Sequence, residues 1–172
     1  IKDEAVAVLL PDDLVHGEVS CMKQMADVYR KVGGNIIAVM EVAQEHTSRY
    51  GILSPGSDKD GLVEVKGLVE KPSPDKAPSR LAVIGRYILQ PEIFQHLAAQ
   101  EPGAGGEIQL TDSMARMIGE VPFHGYRFEG TRYDCGDKAG FVEANIALGI
   151  AHPIVGKAVK QVVADIAKSL KL

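Results

Sequence analysis

Three short stretches hold side chains able to do chemistry, and a fourth could cradle a ligand. In VAVLLPDDLV (6–15) an unbroken apolar run meets Pro11 and then Asp12 and Asp13. Ligands of open α/β sheets bind outside the carboxyl ends of the strands, so acids there either ligate something or sit in a solvated turn. In GLVEKP (67–72), Glu70 and Lys71 are adjacent. On a regular strand they point to opposite faces. They read either as an ordinary solvent-facing pair or as a carboxylate for sugar hydroxyls beside an ammonium for a phosphate. In RYDCGDK (132–138), Asp134 falls between a predicted strand and a predicted helix, with Gly136 permitting a tight turn. Magnesium needs oxygens at ~2.0–2.1 Å and often takes only one or two carboxylates plus phosphate oxygens. Asp12 and Asp134 together would suffice. Alternatively, Asp134 or Asp137 caps the following helix.

The fourth stretch, PGAGGEIQLTD (102–112), is glycine-rich but matches neither the P-loop nor the dinucleotide pattern. It reads as a flexible entry to a helix, with Glu107 within reach of a hydroxyl-rich ligand. The five histidines, at 16, 46, 96, 124 and 152, show no i, i+4 metal spacing. No Ser, Cys and His arrangement suggests a nucleophile, and none is assigned.

These residues need a sheet to position them. EAVAVLLPDD reads as a strand buried on both faces, as in parallel sheets. SCMKQMADVYRKVGG reads as a helix capped by Ser20, with Met22, Met25, Val28, Tyr29 and Val32 on one face and Gly33–Gly34 at its end. NIIAVMEV (35–42) is a second buried strand. Together they predict a strand–helix–strand unit with a right-handed crossover. Short strands follow at 50–55, 62–72 and 81–91, with SPGSDKDG as a hairpin tip. KPSPDKAPS has too many prolines for a helix interior or a central strand. Helices return at 91–100, with Pro91 in the first turn, and at 107–119. FHGYRFEG reads as a strand. The helix predicted over 137–152 puts Phe141, Ala144, Asn145 and Leu148 on one side, and Pro153 stops it. The last run places Val159, Val162, Val163, Ile166 and Leu170 on one stripe, with lysines opposite.

The totals set bounds. A chain of 172 residues, 45% hydrophobic and 24% charged, fits about one soluble globular domain. Its net charge of −4 points away from non-specific nucleic-acid binding. Cys21 and Cys135 match no zinc spacing or disulfide framework and read as reduced cytosolic thiols. No long apolar run predicts a membrane span. The chain starts at Ile1, almost directly in a core strand, and is expected to have begun earlier.

LLPDDL, SRYGI, LVEKP, IGRYIL, PGAGGEIQLTD and RYDCGDKAGFVEA occur in an order that resembles the bacterial UTP–glucose-1-phosphate uridylyltransferases, or UDP-glucose pyrophosphorylases. The similarity runs over nearly the whole chain. It implies an α/β, Rossmann-like nucleotidyltransferase mixed sheet with a sugar-binding subdomain. Residues 1–152 would form an incomplete nucleotidyltransferase domain, with sugar-phosphate-binding strands at 50–91. From its amphipathic stripe alone, the helix at 153–172 is expected to make a subunit contact within a homo-oligomer, the alternatives being packing on the parent domain and a peripheral membrane helix.

The implied reaction is UTP plus glucose 1-phosphate giving UDP-glucose plus pyrophosphate, with Mg2+, in the cytoplasm and with no nucleic-acid or membrane partner. By motif position, Asp12 would be the principal metal ligand and a catalytic residue, and Asp134 a second metal ligand. Glu70 would hold glucose hydroxyls. Lys71 would be catalytic and neutralise the sugar phosphate. Gly51 and Gly85 would let backbone approach the sugar, and Glu107 would lie near it. Direct attack of the sugar-phosphate oxygen on the α-phosphorus needs no covalent enzyme intermediate, which agrees with the missing nucleophile set.

One departure matters. Family members open with a strand and a G-x-G-T-R loop, followed by a lysine near the triphosphate, and this sequence has neither. It is therefore expected to be a carboxyl-terminal portion, inactive alone because the nucleotide half of the site is absent. Three competing readings are another sugar-1-phosphate nucleotidyltransferase, a metal-dependent glycosyltransferase and a non-catalytic sugar-phosphate-binding module.

Overall fold

Capping residues and glycines set the element boundaries. The computed structural model describes residues 4–99, 101 and 106–171. Helix α1 spans Cys21–Val32, and the Ser20 side chain accepts a hydrogen bond from the Lys23 amide. Its end is marked by Gly33 and Gly34, both at positive φ. At Gly34 a Cβ would lie 2.2 Å from the Pro122 carbonyl oxygen, so the chain can enter strand β3 (Asn35–Glu41) only through glycine there.

The remaining elements are strands β1 (Val6–Leu9), β2 (Asp13–His16), β4 (Gly51–Lys59), β5 (Leu62–Glu70), β6 (Leu81–Leu89), β7 (Phe123–Arg127) and β8 (Thr131–Asp134). Helices α2 (Ile93–Ala98), α3 (Leu110–Arg116), α4 (Lys138–Ala151) and α5 (Gly156–Ser169) complete the set, with a 3-10 turn at Gln44–Arg49.

The chain divides into two compact units. One comprises 1–10 and 16–130, the other 11–15 and 131–172. Helix α5 therefore groups with β8 and α4.

The first unit holds a six-stranded mixed sheet in the order β1-β6-β3-β7-β5-β4, and β4 pairs back to β6 at Ile52↔Ala82. The β3–β7 pair is parallel, whereas β1–β6, β3–β6, β4–β5 and β5–β7 are antiparallel. Strand β3 is buried along most of its length, as its apolar run predicts. Ile37 and Val39 join the main core with Leu53, Val63, Met114, Met117 and Phe123. Strand residues alternate faces, so Ile36 and Ala38 point the other way, where α1 packs on β3.

Three expectations need correcting. Strand β1 is not buried on both faces: Val6 and Val8 pack on the core, while Ala7 and Leu9 are exposed. It pairs antiparallel with β6 at one end of the sheet, so only one face meets the core. The hairpin tip is also narrower than SPGSDKDG. Strand β4 continues to Lys59, with irregular register after Ser54, and the turn is Asp60–Gly61. Both residues have positive φ, 54° and 76°, as a two-residue type I′ turn requires. Finally, Pro91 precedes α2 rather than occupying its first turn. Its carbonyl accepts from the Phe94 amide in the turn that leads in.

Cys21 is buried against Met25, with the sulfurs 3.7 Å apart, and burial pushes its thiol up to about 11. Both cysteines are free thiols. Among the described residues no helix is long and apolar enough to cross a membrane.

In the second unit, β2 and β8 form a two-stranded sheet. Asp137 caps α4, accepting from the amides of Ala139 and Gly140 at 3.0 and 3.1 Å. Helices α4 and α5 pack closely through glycines: a Cβ on Gly156 would lie 2.5 Å from the Ile150 carbonyl oxygen. The predicted stripe of α5 splits. Val159 and Val163 are half-buried, whereas Val162, Ile166 and Leu170 are exposed.

Candidate functional site

The β2–β8 pairing brings residues far apart in sequence together. The Cys135 amide donates to the Asp12 carbonyl at 2.7 Å, holding the PDD segment beside the YDCGD turn. Gly136 lies in that turn. A Cβ built there would be 3.1 Å from Asp12 Oδ2 and 3.3 Å from Asp134 Oδ1. The two oxygens thus flank one point from opposite carboxylates, and glycine keeps that point open.

The backbone of Asp134 is fixed from both sides. Its carbonyl accepts from the Asp137 amide, and Gly140 presses so close that a Cβ there would lie 2.2 Å from the same oxygen. Asp137, not Asp134, is the helix cap. The capping role the sequence left open thus falls to Asp137, and one oxygen of Asp134, Oδ1, faces Gly136.

Two oxygens of hard, anionic carboxylates suit Mg2+, which commonly takes one or two protein carboxylates and completes its shell with water and phosphate. Among the described residues no group of three or more His, Cys, Asp or Glu could hold a metal. Two carboxylates alone would leave most of a cation's shell to water or a ligand.

Asp13 points elsewhere. Its carboxylate pairs with Arg132, and the two side chains are only 11% and 10% exposed. The Arg132 Nη2 also lies 3.4 Å from Asp134 Oδ2.

The first unit gathers a different set. Gly51 and Glu70 are partners in the β4–β5 register. A Cβ on Gly51 would lie 3.2 Å from Glu70 Oε2 and 3.1 Å from Thr111 Oγ1. The other Glu70 oxygen, Oε1, is 3.7 Å from Lys71 Nζ. Lys71 is not on a regular strand, so the expected opposite-face arrangement fails: its φ is +45°, in the left-handed region. Its amide donates to the Tyr50 carbonyl at 3.0 Å, and the turn brings the ammonium back toward the neighbouring carboxylate. Glu70 is mostly buried and Lys71 is exposed.

Thr111 was missed from sequence. It lies in the quoted GEIQLTD run, but a threonine at a helix start reads as a local backbone partner, not as part of a site. Glu107 lies ahead of α3, exposed, with its carboxylate 3.4 Å from Gln109 Nε2. Residues 102–105 of the glycine-rich stretch lie outside the described residues. Gly85 lies in β6 opposite the register break at Ile37/Ala38, and its carbonyl accepts from the Leu10 amide and from Arg86 Nη1.

Comparison with known proteins gives a consistent picture. The profile of the family described as "Nucleotidyl transferase" matches residues 1–149. The chain is 59% identical over 138 residues to a UTP--glucose-1-phosphate uridylyltransferase of Komagataeibacter xylinus, covering 80% of this chain and 49% of that one. It is 48% identical over 153 residues to the enzyme of that name from Staphylococcus haemolyticus, covering 89% and 53%. The chain thus spans about half the length of these curated relatives. Among solved structures, a UDP-glucose pyrophosphorylase complexed with UDP-glucose is similar at 43% identity and a TM-score of 0.82, covering 86% of this chain and 57% of that one. The UTP-bound UGPase of Acinetobacter baumannii is similar at 33% identity and a TM-score of 0.82, covering 94% and 56%.

Proposed function

Because this chain belongs to the nucleotidyl transferase family, we propose that the whole protein transfers a uridylyl group from UTP to glucose 1-phosphate, yielding UDP-glucose and pyrophosphate. The relatives' names support the substrate pair. The observation that carries the reading is the Gly136 cradle, with Asp12 Oδ2 and Asp134 Oδ1 around it. Asp12 and Asp134 would hold Mg2+. Bound there, the cation would offset negative charge where two phosphates meet.

Glu70 would accept hydrogen bonds from sugar hydroxyls through the oxygen facing Gly51. Lys71, 3.7 Å from the other oxygen, would carry its charge to the sugar phosphate. Gly85 and Glu107 are assigned to the sugar surroundings by motif position alone. The test is pyrophosphate release by the full-length protein with Mg2+, glucose 1-phosphate and a panel of nucleoside triphosphates. UTP is expected to be preferred. Preference for dTTP would move the assignment to another sugar-1-phosphate nucleotidyltransferase, and release of a nucleoside diphosphate would point to glycosyl transfer.

Gly51 gives a specific check. Its φ is not among the positive ones, so alanine is compatible with the backbone. The added methyl would push on the Glu70 carboxylate and the Thr111 hydroxyl. Gly51→Ala is expected to raise KM for glucose 1-phosphate roughly tenfold or more, with KM for UTP unchanged, because a small misplacement of a positioning group is costly. Equal effects on both KM values would remove Gly51 from the sugar pocket.

The protein is further proposed to be a cytoplasmic homo-oligomer. The exposed row Val162, Ile166 and Leu170 on α5 supports subunit contact. Deleting residues 157–172 is expected to reduce the solution mass to a smaller assembly, measured by light scattering. An unchanged mass would remove α5 from the interface.

A further inference from the structure

We infer that Asp13 and Arg132 form a buried charge clamp that positions Asp134 and balances charge at the cation site. The inference rests on the metal reading proposed above. Asp13 follows the proposed ligand Asp12 directly, yet its side chain is turned onto Arg132. Both Arg132 Nε and Nη2 are directed at Asp13 Oδ1, and Nη2 also approaches Asp134 Oδ2 at 3.4 Å. The two oxygens of Asp134 are thereby divided. Oδ2 faces the guanidinium, and Oδ1 faces the Gly136 cradle with Asp12 Oδ2. A planar guanidinium holds its donors in a fixed fork and can orient two carboxylates at once, whereas an ammonium contacts them as a rotating point charge.

Stability alone does not explain such a pair. Replacing a buried ion pair with apolar side chains of similar volume is often neutral or stabilising. Charge balance does explain it. An arginine beside a metal-binding carboxylate would repel the cation and compete for its ligand. Asp13 cancels that charge and occupies most of the guanidinium fork. Three carboxylates and one guanidinium leave two net negative charges, matched to a divalent cation. Arg132 and Asp13 are therefore positioning residues that act through Asp134.

The experiment titrates the full-length protein with Mn2+ alone, following free Mn2+ by EPR, with a thermal melt to verify folding. Asp13→Asn is expected to weaken Mn2+ binding at least about tenfold, the range typical of losing an outer partner of a metal ligand. Asp13→Asn/Arg132→Met, which removes both charges, is expected to bind Mn2+ more tightly than Asp13→Asn but still below wild type, since the charge balance is restored while the fork that orients Asp134 is lost. Wild-type affinity in folded Asp13→Asn overturns the inference, as does a double variant that binds no better than the single one. If Asp13→Asn does not fold, Arg132→Lys decides instead. It keeps the charge but loses the fork, so an affinity about tenfold lower supports the clamp and an unchanged one overturns it.

Asp12→Asn separates this inference from the reading beneath it. If that variant also binds Mn2+ normally, the metal site itself is wrong. If Asp12→Asn abolishes binding while Asp13→Asn does not, only the clamp fails.

Discussion

Lys71→Ala in the full-length protein is expected to lower kcat at least ~10²-fold, the scale of losing one preorganised donor to a transition state, without a loss of stability. The backbone supplies the argument. Lys71 sits at φ +45°, held by its amide bond to Tyr50. The left-handed region costs a residue with a Cβ about 1–2 kcal/mol relative to glycine. Its side chain is exposed and packs little, so it contributes little to the fold in return. A lysine kept where glycine would sit more easily is best explained by what its ammonium does. Strain of this kind clusters at functional sites. Lys71→Gly should therefore be as inactive as Lys71→Ala but the more stable of the two, because it relieves the φ penalty. Steady-state kinetics and urea denaturation of both variants check this. A near-normal kcat in either would sink the role assigned to Lys71.

Much of the fold could be read from the sequence because its signals are local. The β-branched run at 35–42 is a buried strand, Ser20 caps a helix, and Gly33–Gly34 ends it. The two acids that meet at Gly136 were also legible as candidates, since PDD and RYDCGD each place an acid at an element boundary. What the sequence left undecided depended on long-range partners. Nothing in EAVAVLL distinguishes a strand with two neighbours from one at the end of a sheet, so the one-sided burial of β1 was not visible. Asp134 and Asp137 were equivalent as caps until the geometry assigned that role to Asp137. The left-handed turn at Lys71 has no local signature, because the residue is neither glycine nor asparagine. Asp13 looked like a duplicate of Asp12, and its partner lies 119 residues away.

Asp12→Asn should cost at least ~10²-fold in kcat, comparable to removing one electrostatic stabiliser, with thermal stability near wild type. The substitution keeps shape and volume and removes one negative charge from the cradle. The Asp12 carbonyl, which accepts from Cys135, is untouched, so the backbone link between the PDD segment and the YDCGD turn survives. Gly136→Ala offers an independent route to the same result. A methyl there would sit 3.1 and 3.3 Å from the two carboxylate oxygens, tighter than ordinary contact, and would fill the space between them. The nearest atoms such a methyl meets belong to side chains and not to backbone, so it should displace the carboxylates without unfolding the protein. If Asp12 and Asp134 act as a pair around one cation, the two variants lose activity together, and combining them adds little because a shared interaction can be lost only once. A non-catalytic sugar-phosphate-binding module makes the opposite prediction: Asp12→Asn would bind ligand like wild type, and there would be no turnover to lose. Independent, additive losses would mean that the carboxylates flank Gly136 without sharing a ligand.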